Sequence, residues 1–414
     1  MEKRKSKEQR IKIKRTRIPK YCRCPTCGKR QPFKKKSEYW KRVKDIDLDY
    51  PTTVMVCMVS AKCLNPACKR KSFTIPIPGI KKYGRSTNRL IAESIAGIIQ
   101  DNSTLPRISR RLGRAFNTTG SISTIDRWKH HEADKYDIKD IIAKLEFSGV
   151  LCVDKYMPKK ADKYHLVAGD AVKIRLLYIE PVPEFYGRGF ILSFLEKLKH
   201  FGIKPHAIVF DLLTAFPKQA KKVWPDIIIQ FDYFHVEQWI HHYLKNALIQ
   251  FRRSLKGKVW EPYREELWEH KWSLLMNMDK WKDKEHLLLP EMMDIYVGTM
   301  VEKVLIFKEQ LWELFDNSTS RLEAYAKRDS LYQEQWWRDS WHLSQIMKFL
   351  MSDKFKYMVT YLDRPDIPRS GNSETLNSIW RQIESARFGF KTYKGRLNHL
   401  KLYQISKYLD GNYP

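Results

Sequence analysis

The stretch HAIVFDLLTAFPKQAKKVWPDIIIQFDYFH, residues 206–235, decides the fold. Residues 206–211 form a short apolar run ended by Asp211, and residues 226–232 form a second ended by Asp232. Both have the length and β-branched content of buried strands. Between them Pro217 opens a helix that must stop before Pro225. Upstream, residues 149–154 make another apolar strand, again ending in a carboxylate, Asp154. Residues 164–169 and 173–180 read as two more strands joined by a tight turn at Gly169-Asp170. Phe190, Ile191, Phe194, Leu195 and Leu198 then share one face of a helix that stops at Gly202. Strand–strand–strand–helix–strand–helix–strand is the order of a ribonuclease H-like α/β core, here residues 147–236.

Downstream the pattern changes. From about Val236 to Tyr361 the spacing is helical with no sheet signal, so residues 237–368 are expected to form a large all-helical insertion. Nine tryptophans lie there, most of them expected to pack. Trp336 and Trp337 are adjacent and cannot both face one core; one is a candidate to stack on an unpaired base. Pro368-Arg369-Ser370-Gly371 breaks the chain, and a helix follows from about Ser373. It buries Leu376, Ile379, Trp380 and Ile383 and presents Glu374, Asn377 and Arg381 one turn apart on another face. Residues 369–414 are expected to complete the core.

The front of the chain is basic and rich in cysteine. Residues 1–44 hold nineteen Lys/Arg and three acids, and residues 1–20 read as a solvated basic tail that neutralises phosphates when DNA arrives. Over residues 21–80, Cys24-Pro25-Thr26-Cys27-Gly28 is a tight turn with two thiols. Cys63 and Cys68 form a second pair, after an alternating strand (Val54, Val56, Met58). Four thiolates from two turns can close a tetrahedral Zn²⁺ shell, the pattern of a zinc ribbon. Cys22 and Cys57 are spare. Residues 84–135 read as three short helices: Ile91, Ile95, Ile98 and Ile99 on the first, Leu105, Ile108 and Leu112 on the second, Ile122, Ile125 and Trp128 on the third. N-caps are expected at Ser103 or Thr104 and at Ser121. With Arg107, Arg110, Arg111 and Arg114 exposed, this suggests a helix-turn-helix that contacts DNA.

Over the whole chain, 414 residues carry 77 Lys/Arg against 47 Asp/Glu, a net charge of +30. Such a surplus points to a polyanion, with nucleic acid ahead of a membrane surface. With 43% hydrophobic residues the chain is not disordered. An apolar run of about 18 residues is lacking, which argues against a membrane span. Nothing apolar follows the basic N-terminus, which argues against a secretory signal. Clustered cysteines without a leader fit a reducing cytoplasm.

Phosphodiester chemistry narrows the reading. Two Mg²⁺ (or Mn²⁺) ions about 3.5–4 Å apart neutralise the transferred phosphoryl and activate the attacking oxygen. They need converging carboxylates. Asp154 and Asp211 end the first and fourth strands, which are neighbours in this fold, and Glu374 on its polar helix face can supply the third. Asp170 is set aside as a turn residue and Asp226 as the residue that opens a strand.

These features resemble the DDE transposases of prokaryotic insertion sequences, specifically the ISL-three family, over nearly the whole chain. LCVD at Asp154 and IVFD at Asp211 match the family's two aspartates. Asp232-Tyr233-Phe234-His235 matches its D-x-F-H signature. Glu374-Thr375-Leu376-Asn377 with Arg387-Phe388-Gly389-Phe390 matches its glutamate helix and the basic, aromatic segment after it. The spacing of the second cysteine pair is conventional for the family. Two positions depart: Lys155 stands where an acid is usual, and Thr375 where glycine is. The resemblance implies that Asp154, Asp211 and Glu374 hold the metal ions, with Asp232, His235 and Asn377 organising them. It implies that the zinc ribbon and helix-turn-helix bind terminal inverted repeats, and that a cut 3′-OH attacks target double-stranded DNA. Arg381 and Lys391 are expected to hold phosphates near the site. Synapsis of two ends implies a homodimer or larger on DNA, in a prokaryotic nucleoid. The alternatives are a non-catalytic DNA-binding regulator and a nuclease of the same fold without strand transfer.

Overall fold

The computed structural model describes all residues except 1–9, 47–51, 82–83, 158–163, 184–186, 213–214, 284, 287–293, 386–389, 391 and 410–414. The chain has a mixed α/β fold of two units. The described parts of 1–145 and 380–414 form one, and those of 146–379 the other.

In the first unit the longest strand, β5 (Thr52–Lys62), is central because its β-branched and thioether side chains alternate toward a small core. Val54, Val56 and Met58 are buried there with Val43, Ile77 and Ile80. β4 (Lys35–Lys44) and β6 (Ser72–Thr74) pair with it antiparallel, and β1 (Arg10–Arg15) pairs with it parallel. Within the segment 1–20 expected to be a solvated basic tail, residues 10–15 are a strand, and residues 1–9 lie outside the described residues. Ile11 and Ile13 of β1 remain exposed (60% and 70%), so it is held by backbone hydrogen bonding to an open sheet edge and not by burial. β2 (Tyr21–Arg23) and β3 (Arg30–Pro32) form a hairpin around the first cysteine pair, where Gly28 takes a left-handed φ of 70°.

Three helices follow, α1 (Asn88–Ile99), α2 (Leu105–Ala115) and α3 (Ile122–Ala133). Each starts where a hydroxyl at Thr87, Thr104 or Ser121 accepts from a backbone N–H three residues on. Leu90, Ile95, Ile98, Ile108, Leu112 and Ile125 form their core. α4 (Ile138–Lys144), capped by Asp137, was not expected.

In the second unit five strands have the order β11-β10-β7-β8-β9, with β7 (Val150–Tyr156), β8 (His165–Asp170), β9 (Arg175–Pro181), β10 (Ala207–Phe210) and β11 (Ile228–Phe231). β10 runs parallel to both β7 and β11; β8 is antiparallel to β7 and β9. α5 (Arg188–His200) precedes β10, and α6 (Phe216–Val223), opened by Pro217, precedes β11. α7 (Tyr233–Ser254) leads into a helical region with α8 (Glu261–Glu269), α9 (Lys271–Leu275), α10 (Met300–Asp316), α11 (Arg321–Gln333), α12 (Trp341–Leu350) and α13 (Phe355–Met358).

α14 (Ser373–Ser385) begins in the second unit and ends in the first, where α15 (Tyr393–Tyr408) also lies. Leu402 of α15 joins the core of Leu90 and Ile98, and Asn398 donates to His130 Nδ1 (2.8 Å). The described residues of 380–414 therefore group with the N-terminal segments, where the sequence reading attached all of 369–414 to the α/β core. The exchange of apolar and buried polar contacts with α1–α3 is the reason.

Candidate active site

Strand register lines up the acids. Val153 of β7 pairs with Phe210 of β10, which pairs with Phe231 of β11. Asp154, Asp211 and Asp232 are the residues that follow this row, so they stand side by side on three adjacent strands about 4.8 Å apart. Asp154 is not the last residue of its strand as expected: β7 runs on to Tyr156.

His235, in the first turn of α7, lies between the first two acids. Its Nε2 is 3.6 Å from Asp154 Oδ1 and its Nδ1 is 4.0 Å from Asp211 Oδ1. Burial lifts the Asp154 carboxyl to about 6; His235 and the Lys155 N–H oppose the lift, and the charge of Asp211 and Asp232 adds to it.

Asp232 faces elsewhere. It caps α7 through the Phe234 N–H and accepts hydrogen bonds from Ser370 Oγ and Ser373 Oγ, each 2.7 Å. It thereby clamps the start of α14. Asn372 donates to Ala171 O (2.8 Å). At Gly371 a Cβ would lie 2.9 Å from Cys152 Sγ and 3.0 Å from Val209 Cγ1, so only glycine lets the segment approach so closely. One turn on, Leu376 presses against Gly169. Asn377 Nδ2 donates to Asp154 Oδ2 at 2.7 Å. Glu374 is exposed, three residues before Asn377, and so on the neighbouring turn of the same helix side.

Among the described residues, His235 Nε2 and Asn377 Oδ1 are buried without a hydrogen-bond partner. Two carboxylates beside uncommitted ligand atoms, with no lysine or arginine side chain paired with Asp154 among the described residues, fit a divalent cation. The rival acids are accounted for structurally. Asp170 is fully buried and accepts from Ser148 and from the Val172 and Lys173 N–H groups, and Asp226 is exposed before β11.

The four sequence-selected cysteines meet. Their sulfurs lie within 4.8 Å of one another, with Cys24–Cys68 at 3.9 Å and Cys27–Cys63 at 3.8 Å, and the group could hold a metal ion. Four sulfurs at about 2.3 Å from one Zn²⁺ would be about 3.8 Å apart. Hydrogen bonding from the Cys27 N–H draws the Cys24 thiol down to about 6, against burial. Cys22 and Cys57 are buried outside this quartet.

Of the arginines on α2, Arg107, Arg110 and Arg114 are exposed. Arg111 is committed internally, to Glu93 (2.8 Å) and Asp101. Sequence reading missed a concave cleft of about 980 Å³ nearby. It is lined by Lys44, Lys81 and Arg85 and by Thr124, Arg127, Trp128 and His131 of α3. The last four recur at i, i+3, i+4 and i+7, a stripe that could have been read. Arg381 is exposed on α14, and Lys391 lies outside the described residues.

A family profile described as Transposase, of the ISL-three DDE type, matches residues 151–396, more than half of the chain. The chain belongs to this transposase family. No curated protein matches it. Among solved structures, the Drosophila P element transposase strand transfer complex is similar to this transposase over 76% of this chain and 77% of that one, at 15% identity and a TM-score of 0.27. No described helix of the transposase is long and apolar enough to cross a membrane.

Proposed function

We propose that this transposase binds the terminal inverted repeats of an insertion sequence, cleaves DNA at the element's ends and joins the freed 3′-OH to target DNA. The observation that carries the proposal is the row of Asp154 and Asp211 on neighbouring parallel strands, with α14 reaching Asp154 through Asn377. The adjacency of the first and fourth strands, β7 and β10, supports a ribonuclease H-like reading of the core.

In this reading Asp154, Asp211 and Glu374 hold two Mg²⁺ or Mn²⁺ ions. Such ions, when bound, neutralise phosphoryl charge and lower the pKa of water. Asn377 fixes one oxygen of Asp154, which leaves the other toward Asp211 and His235. His235 keeps the two acids apart and oriented. Asp232 is a positioning residue: it holds Ser370 and Ser373 so that the turn carrying Glu374 stays over the strand ends.

The quartet is a structural Zn²⁺ site within a ribbon over residues 21–80. The helix-turn-helix of 84–135 contacts DNA with α3, whose stripe forms one wall of the cleft; Lys44, Lys81 and Arg85 on the other wall seat backbone phosphates. Residues 237–368 are the helical insertion. Synapsis of two ends requires at least a dimer on DNA, inside a prokaryotic cytoplasm.

The test is a cleavage and joining assay with Mg²⁺ on DNA ends flanking the gene, wild type against Asp154→Asn and Glu374→Gln. Both variants should bind DNA and form no joined product. Joining at wild-type rate by Glu374→Gln would remove the glutamate from the mechanism.

A further inference from the structure

The tryptophans of the helical region resolve into two kinds. Trp336 and Trp337, singled out by adjacency, are packed. Trp336 donates its indole N–H to Glu334 and meets Phe307 edge-on, while Trp337 is buried and donates to Tyr332 O. Trp268 and Trp272 are instead exposed, at 43% and 56%. Each has two cations within 6 Å of its ring. Lys245 Nζ is 5.1 Å from the Trp272 centroid. Lys271 Nζ is 3.6 Å from Trp268 and 5.9 Å from Trp272, and Arg252 Cζ is 4.9 Å from Trp268. Partner to partner the series runs Lys245, Trp272, Lys271, Trp268, Arg252, with charge and indole alternating.

Elsewhere in these helices some lysines are neutralised, Lys303 by Asp339, Lys308 by Glu309, Lys327 by Glu313 and Glu323, whereas Lys348 and Lys356, like the ladder's cations, have no ion pair among the described residues. Among the described residues no carboxylate forms an ion pair with Lys245, Arg252 or Lys271, although α8 next to them in sequence carries four glutamates. Residues 238–260 hold five Lys/Arg and no acid. Indole faces make it cheaper to hold cations in place, but they do not cancel charge. Three cations kept together without a counter-ion are complementary to a polyanion.

Lys245 and Arg252 are seven residues apart on α7, so they share a face about 10.5 Å in length. One DNA strand advances about 3.4 Å per phosphate, so that length spans about three phosphates. We propose that this ladder is a seat for the DNA backbone, in which the indoles act as spacers for the three cations. The proposal rests on the transposase reading for its direction. α7 starts beside Asp154 and Asp211 at His235, and Lys245 and Arg252 lie about 15 and 26 Å further along its axis. The seat therefore takes phosphates roughly four to eight base pairs from the one being cut. Ten to seventeen residues of helix also turn the ladder about a quarter-turn from His235, so the backbone crosses α7 obliquely.

The experiment uses the full chain without added Mg²⁺ or Mn²⁺ and a fluorescein-labelled random duplex of about 30 bp, with anisotropy read across a KCl series. Lys245→Gln/Lys271→Gln should lower the slope of log affinity against log salt by about 1.8, two phosphates at about 0.9 each, with an unchanged melting temperature. A second measurement needs no variant: acetylation of wild-type lysines by an activated ester, with and without the duplex. Lys245 and Lys271 should be protected and the exposed Lys204 should not. An unchanged slope, or equal acetylation of Lys245 and Lys271 with and without DNA, overturns the seat and leaves the ladder as packing between α7, α8 and α9. Because no Mg²⁺ or Mn²⁺ is added, neither result depends on catalysis, so failure of the active-site reading would show only in the joining assay.

Discussion

Asp232 is the residue through which α7 and α14 are tied, and its removal should be felt first at the start of α14. It is 1% exposed and accepts two hydroxyl hydrogen bonds of 2.7 Å together with the Phe234 N–H. Each hydroxyl bond to a charged acceptor contributes about 1.5–3 kcal/mol, and the helix cap about 1 kcal/mol. Because Ser370 is half-buried, water partly replaces one of these bonds. Asp232→Ala should therefore cost about 4 kcal/mol, and Asp232→Asn, which keeps one acceptor oxygen and the cap, about 1–2 kcal/mol. The loss should concentrate where the clamp acts. The Leu376 N–H, bonded to Asn372 O at 2.9 Å, should exchange with solvent deuterium about a thousandfold faster in Asp232→Ala, since each 1.4 kcal/mol is tenfold. Single Ser370→Ala and Ser373→Ala variants should each give a fraction of that effect. Unchanged exchange at Leu376 in Asp232→Ala, with fraying confined to the first turn of α7, would refute the clamp and leave Asp232 as a cap alone.

Gly371→Ala should lower stability by about 1–3 kcal/mol through overpacking against Cys152 and Val209, and adding Cys152→Ala should recover part of the lost melting temperature. Purified wild-type chain should contain about one zinc by elemental analysis, and Cys24→Ser or Cys68→Ser should lose it, whereas Cys57→Ser should keep it. Arg396→Met should cost up to about 3–5 kcal/mol by removing the buried guanidinium that meets the buried Glu384 carboxylate at 3.0 Å, and Glu384→Leu in the same chain should recover part of the loss; denaturant melts decide this. Arg127→Gln should reduce the salt slope of DNA binding by about 0.9, and Arg111→Gln, paired within the protein, should not.

Much of this transposase is legible in its sequence because the governing interactions are local or repeat with a fixed period. Thr104 and Ser121 cap helices through bonds to residues three positions away. Pro217 opens α6 because its fixed φ suits a first turn. The apolar runs before Asp154, Asp211 and Asp232 read as strands because they are short, rich in β-branched residues and bounded by glycine or proline breaks. The pairing of Cys24-x-x-Cys27 with Cys63 and Cys68 was readable because two short turns can aim thiols at one point.

What only tertiary structure decided concerns partners far apart in the chain. Basic residues 10–15 became a strand because β5 offered an unpaired edge. The last helix left the α/β core because Leu402 and Asn398 found partners on α1 and α3. Arg111, expected to be free for DNA, is paired with Glu93 and Asp101. Lys245, Trp268 and Trp272 acquired meaning only as neighbours. Composition and period specify which face of an element is apolar. They do not specify which carboxylate, edge or ring will lie opposite a given side chain, because that depends on the packing of all the elements at once.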